Sequence, residues 1–282
     1  MTSLLALLGA FSYGLSDFVG GLTSRRTSPW AVAFVASVTG GLLTLGLGLV
    51  LGGEPTTVHF LWGAVGGIGN GFGTAFLYRG LSGGRMGVVA PISGVGAALV
   101  PVVVGLATGE RPNALVWLGI AAALPGIWLV AREPVAKMGV QPAERNLTAV
   151  LDGALAGLGF GSLFAALAQI PDEAGLLPLT VNQVVACAMV AVVATAVGRP
   201  WVPREPMALV GAVSGVLGAA ATIAFLLATH HGDLTVAAIL ASLYPAFTIL
   251  LAATVLREHI HRSQGVGLAL CVVAVALVAG AS

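Results

Sequence analysis

Asp17 stands inside an apolar run near residues 3–22. A carboxylate at the centre of a bilayer costs roughly 2.5–3.5 kcal/mol on insertion scales, so a cation, a ligand ammonium group or a proton must offset it. A proton and a ligand ammonium competing for one carboxylate is a simple route to proton-coupled movement of the ligand. The alternative is that Asp17 lies close enough to its helix end to reach Arg25, Arg26 or Arg79 at the interface. Asp152 falls at the start of a later apolar run, where a helix N-terminus favours an anion. Arg79, after Tyr78 at the end of another run, suits a carboxylate or phosphate, or else snorkels to the interface. Asn70, Asn182 and Gln183 are amides within apolar runs, where an unpaired amide is costly, so each must face a cavity or another helix. Ser242 and Tyr244 precede Pro245, whose missing N–H frees a backbone carbonyl inside a span. Pro91 and Pro101 are candidate kinks of the same kind. The predicted ligand-binding set is therefore Asp17, Asn70, Tyr78, Arg79, Asn182, Gln183, Ser242 and Tyr244, with Pro91, Pro101 and Pro245 as bends.

Other chemistry finds little support. His230 and His231 fall on the opposite side of the predicted membrane from His259 and His261, and neither pair has a nearby Cys or carboxylate cluster to complete a metal site. Cys187 and Cys271 lie in apolar runs as small hydrophobes. No nucleotide-binding loop, serine-hydrolase elbow or zinc-protease helix occurs. No catalytic residue, cofactor or metal is predicted.

The elements that must hold these residues are membrane spans. The chain has 282 residues, 57% hydrophobic and 8% charged, against roughly 25% charged in a soluble domain. With a net charge of +1, nothing points to nucleic acid. Spans of about 20 residues are predicted near 3–22, 30–51, 60–80, 85–107, 113–131, 149–169, 176–197, 206–229, 233–256 and 263–281. The first has no Lys or Arg ahead of it and is expected to span rather than serve as a cleaved signal. The one substantial polar stretch, 132–148, separates a first five-helix unit, 1–131, from a second, 149–282. A shift of 148 residues brings Leu61-x-Gly63-Ala64-Val65-x-Gly67 onto Leu209-x-Gly211-Ala212-Val213-x-Gly215, Thr74 onto Thr222, and Glu110 onto Glu258. Five helices per unit set the two copies in opposite orientations. Such inverted repeats are a transporter signature, with the solute near the midplane. The cavity is expected between spans one, three and four and spans six, eight and nine. The fold class is all-α integral membrane protein, ten transmembrane helices as two inverted five-helix repeats.

The run Ser242-Leu243-Tyr244-Pro245-Ala246-Phe247-Thr248, then Glu258 and Gly265-x-Gly267, resembles the last two helices of EamA-type carriers of the drug/metabolite transporter superfamily. Its first-half counterpart is Tyr78-Arg79-Gly80-Leu81, Pro91, Gly109-Glu110-Arg111 and Gly119. The resemblance implies a multi-pass protein of the cell membrane with a central cavity, exporting amino acids or related small metabolites by alternating access. Relatives in the superfamily also suggest a flippase for lipid-linked intermediates, or a multidrug cation–proton antiporter, because the Asp17–Arg25 spacing is similar to the first helix of the small multidrug-resistance branch. The implied partners are a small solute and lipid, with the protein a monomer or homodimer. Arg25, Arg26, Arg79, Arg85, Arg132, Lys137, Arg145, Arg199, Arg204, Arg257 and Arg262 fall in odd-numbered connections and Arg111 in an even one. Lys and Arg concentrate in cytoplasmic loops, so both termini are expected outside the cell, against the cytoplasmic termini of many relatives.

Overall fold

In hydrocarbon every backbone N–H and C=O must find a partner within its own segment, which a helix provides. The computed structural model describes residues 1–82, 86–131, 143–255 and 262–279, and all regular structure among them is helical. The helices are α1 (Thr2–Ser24), α2 (Pro29–Leu51), α3 (Thr57–Ser82), α4 (Met86–Ala107), α5 (Ala114–Ala131), α6 (Ala143–Leu167), α7 (Leu177–Ala196), α8 (Gly211–Thr229), α9 (Leu234–Ala241), α10 (Tyr244–Val255) and α11 (Arg262–Ala279). Six stretches, in α1, α2, α6, α7, α8 and the joined α9–α10 segment, are long and apolar enough to cross a bilayer. α4, α5 and α11 contain shorter apolar segments.

Three details depart from the sequence-based expectation. The ninth span is two helices, broken at Ser242 and Leu243. Pro245 accounts for the position of the break, because its ring excludes a helical carbonyl at residue 241. α6 starts at Ala143, inside the stretch assigned to the linker, so Asp152 lies beyond two helical turns rather than at the helix N-terminus. α4 runs unbroken through Pro91 and the buried Pro101, while a further interior proline, Pro125, sits in α5. Arg85, Arg132, Lys137, Arg257, Glu258, His259 and His261 lie outside the described residues.

The outer surface is apolar: Leu42, Leu49, Leu61, Val103, Leu118, Val192 and Val272 are all exposed. The interior carries the polar groups, with Ser16, Asn182, Gln183, Ser214 and Thr222 buried. Lipid is as apolar as leucine, so small residues and polar contacts, rather than the hydrophobic effect, hold the helices together. α3 packs on α6 and α7, α8 packs on α1 and α2, and α4 packs on α6 as α9 and α10 pack on α1. α2 meets α7, and α5 meets α11. This scheme is unchanged when α1–α5 are exchanged for α6–α11.

The glycines matched by the 148-residue shift hold equivalent places in that scheme. A methyl group on Gly67 of α3 would lie 2.5 Å from Asn182 O of α7, and one on Gly211 of α8 would lie 2.7 Å from Val32 O of α2. Their partners, Gly63 and Gly215, press equally closely on Pro178 O and Ala36 O. Gly46 has open space around its missing side chain. Gly67→Ala is therefore expected to destabilise the protein by about 1–3 kcal/mol, the usual cost of overpacking, while Gly46→Ala leaves it unchanged or slightly more stable. Unfolding midpoints of the two variants in detergent check this, and equal midpoints would remove the close-packing role.

The connections gather at two ends. At the first end Ser28 Oγ donates to Pro200 O at 2.7 Å. At the second, Glu54 N donates to Glu173 O at 2.7 Å, and Asp172 faces His230 Nδ1 at 3.1 Å. The second end also carries a contact between helices distant in sequence. Glu110, just past α4, accepts hydrogen bonds from Leu234 N (2.7 Å), Thr235 N (3.1 Å) and the Thr235 hydroxyl, and so caps α9.

Candidate functional site

A polar chamber of about 50 Å³ lies among α1, α2, α3, α6, α7 and α8. Tyr13, Ser16 and Asp17 line it from α1, because residues three and four apart share one helix face. Ser37 of α2, Asn70, Thr74 and Tyr78 of α3, Gln183 of α7, and Ser214 and Thr222 of α8 complete the polar lining, and Phe160 of α6 adds an apolar wall. Ser37, Thr74 and Thr222 drew no notice as ligand groups from the sequence, although the 148-residue register already paired Thr74 with Thr222.

Asp17 is the one charged side chain in this lining. Among the described residues, its carboxylate has no hydrogen-bond donor and no ion-pair partner. Tyr13 and Tyr78 line the same chamber. Asp17 is intermediate in exposure; a carboxylate within a span is costly until a cation or a proton neutralises it, and the arrangement leaves that place open.

The remaining polar groups bond to one another. Asn70 Nδ2 donates to Asn182 Oδ1 (2.9 Å) and Gln183 Oε1 (3.4 Å), and Thr74 donates to Asn70 Oδ1 at 3.4 Å. These bonds tie α3 to α7 and account for all three predicted amides. Asn182 itself is fully buried, with its Nδ2 lacking a partner. Ser16 Oγ donates to Ser214 O and Ser214 Oγ to Ser16 O, both at 2.9 Å, and the Tyr78 hydroxyl closes on Ser214 Oγ.

Toward the second end, aromatic side chains pack against one another beside the chamber. Phe164 stacks on Phe225 at 4.3 Å between ring centroids, and Tyr13 packs against Phe164 (5.8 Å) and Tyr244 (6.3 Å). Toward the first end lies the Tyr78–Ser214–Ser16 cluster. Beyond that lies a vestibule of about 680 Å³, lined by Ser28, Trp30, Arg79, Ser82, Thr148, Asp152 and Arg199.

Arg79 is not free for Asp17. Its Nε and Nη2 both donate to Asp152 Oδ1, with the Nε contact at 3.0 Å, so the ion pair joins α3 to α6. The guanidinium also lies over the Phe76 ring, 4.5 Å from its centroid, and 6.0 Å from that of Trp30. Ser242 and Tyr244 stand outside the chamber. Ser242 donates to Ala238 O of α9 at 2.6 Å, and the Tyr244 hydroxyl bonds to Ser93 Oγ at 3.0 Å. Of the predicted residues, the fold thus gathers Asp17, Asn70, Tyr78 and Gln183 around one space, with Asn182 directly behind them. Among the described residues the lining also differs from the predicted spans: α2 and α7 contribute, and α4 and α9 do not.

A family model described as the EamA-like transporter family matches residues 1–132 and again residues 147–280. The chain belongs to that family. This EamA-like chain is accordingly a multi-pass membrane protein of a transporter family. A solved structure described only as "Crystal structure of protein" superposes with a TM-score of 0.72 over 96% of this chain and 95% of its own, at 17% identity, a likeness of fold. Among curated proteins, none matches the sequence at a significant level.

Proposed function

We propose that this EamA-like chain is a secondary carrier, an exporter of amino acids or related small metabolites, in which Asp17 receives the solute's ammonium group. The observation that carries this reading is the Asp17 carboxylate, without hydrogen-bond or ion-pair partners among the described residues, in an oxygen-lined chamber between the two sets of helices. The twofold family match, the exchangeable packing scheme and the 148-residue register support two inverted five-helix repeats, 1–131 and 149–282, joined by a linker. Alternating access follows as the mechanism: the aromatic cluster and the Tyr78–Ser214–Ser16 cluster are barriers on either side of the same space, and transport requires opening one at a time. The chamber is much smaller than the roughly 300–1,000 Å³ of sites that enclose drug-sized ligands, so solute enters by widening it from the vestibule. Export as the direction rests on likeness to the family.

Flux from proteoliposomes tests the reading. Amino acids and their amines are expected to move, while the corresponding acids lacking the amine do not. Movement of quaternary ammonium compounds with no amino-acid flux would transfer the assignment to a multidrug cation antiporter, and movement of lipid-linked sugars alone to a flippase.

Orientation follows from charge. The first end carries Arg25, Arg26, Arg79, Arg199 and Arg204, and the second carries Arg111 with Glu54, Glu110, Asp172, Glu173 and Asp233. The bias toward cytoplasmic Lys and Arg places the first end in the cytoplasm and both termini outside. A C-terminal reporter that works only in the periplasm is expected to be active, and activity of its cytoplasm-specific counterpart instead would reverse the orientation.

A further inference from the structure

Each hydroxyl around Asp17 has one proton to give, and in this chamber that proton is already committed elsewhere. Ser37 gives its proton to Ala33 O at 3.0 Å, and Thr222 gives its own to Gly218 O at 2.8 Å. Tyr13, 2.9 Å from Thr222 Oγ1, must therefore be the donor of that pair. The Ser16, Ser214 and Tyr78 hydroxyls share their protons among one another and the Ser16 and Ser214 carbonyls. Thr74 spends its proton on Asn70, and Asn70 spends both amide protons on Asn182 and Gln183. What is left toward the space is oxygen lone pairs around one carboxylate, with the Gln183 amide as the remaining uncommitted donor.

A wall of acceptors does not stabilise a bare carboxylate, which needs a proton or a cation between it and those lone pairs. It is suited to a hard cation, which binds oxygen ligands of this kind. A single carboxylate balances a single positive charge. Size points the same way. The chamber's volume of about 50 Å³ suits an ion with about one water, at roughly 30 Å³ per water, better than a drug-sized ligand, whose sites run to roughly 300–1,000 Å³.

We propose that the chamber is a binding site for a monovalent metal cation of about sodium's size, held by Asp17 and the oxygens of Tyr13, Ser37, Thr74 and Tyr78. The proposal rests on the reading of Asp17 as the solute-binding carboxylate. It makes the metal ion and the solute's ammonium group alternative occupants of one site, and so couples them.

Thermal unfolding of the purified, solute-free protein separates the possibilities. Sodium chloride, lithium chloride and potassium chloride are each titrated against N-methyl-glucamine chloride at fixed pH and ionic strength. A sodium concentration tenfold above its Kd is expected to raise the unfolding midpoint by about 3–5 °C, saturably. The rise should vanish in Asp17→Asn. In Ser37→Ala and Thr74→Val it should need several-fold more sodium, and these variants decide the matter if Asp17→Asn fails to fold. Alkali cations indistinguishable from N-methyl-glucamine in the wild type, or an undiminished sodium effect in Asp17→Asn, would overturn the proposal. Solute flux that persists without sodium would then leave the carrier reading standing, with another coupling ion.

Discussion

Asp17→Asn is expected to abolish coupled flux while leaving the amount of protein in the membrane unchanged. Asparagine keeps the shape of the side chain and removes the charge that would meet the solute's ammonium group. Losing one partner of a desolvated charge pair costs about 3 kcal/mol, or roughly a hundredfold in affinity. Stability should move the other way. The wild-type protein places this carboxylate, intermediate in exposure, inside an apolar span with no donor or cation among the described residues, so the neutral amide is easier to accommodate there and the unfolding midpoint should hold or rise. That opposition between flux and stability separates a binding group from a structural one. Any solute binding left in the variant should also lose its dependence on pH. Wild-type flux with wild-type pH dependence in Asp17→Asn would mean that the solute's charge is met elsewhere.

Arg79 and Asp152 are expected to be unequal partners. The Asp152 side chain is 4% exposed and that of Arg79 is 31% exposed. In Arg79→Met the carboxylate stays buried on α6 without its cation, a loss that typically reaches about 3 kcal/mol. In Asp152→Asn the guanidinium can turn into the vestibule and keep its water, and its stem still packs on Phe76, so the loss is about 1 kcal/mol. The double variant should recover most of what Arg79→Met alone loses, because the orphaned charge is gone. Unfolding midpoints of the four proteins form the cycle that measures this. Equal losses in the two single variants would show that Asp152 does not depend on Arg79 for its charge.

The helices were legible because lipid forces long apolar runs, and Asp17, Asn70, Asn182 and Gln183 stood out because each is costly in such a run. The serine and threonine hydroxyls of the chamber were not legible. Ser37 and Thr222 return a hydrogen bond to the carbonyl four residues earlier, so a serine or threonine sits in a span at little cost and advertises nothing. The pairing of Arg79 with Asp152 was hidden for a different reason. The two are 73 residues apart, and only the packing of α3 on α6 brings them together. Misplacing the start of α6 made Asp152 look like a helix-end anion that needed no cation. Ser242 and Tyr244 were singled out through the proline beside them, and the proline did mark a real feature: the interruption between α9 and α10, outside the chamber.

That interruption acquires a meaning from Glu110. α9 is eight residues long, and its first turn hangs from a carboxylate that follows α4. By sequence it belongs with α10; by attachment it belongs with the opposite repeat. If the two repeats part at the second end, either the Glu110 cap tears or α9 travels with α4, and in the second case Ser242 and Leu243 are where the chain must give. The boundary between moving bodies would then run through the ninth crossing instead of through the polar linker, so cutting the gene between its repeats would not cut the machine between its parts.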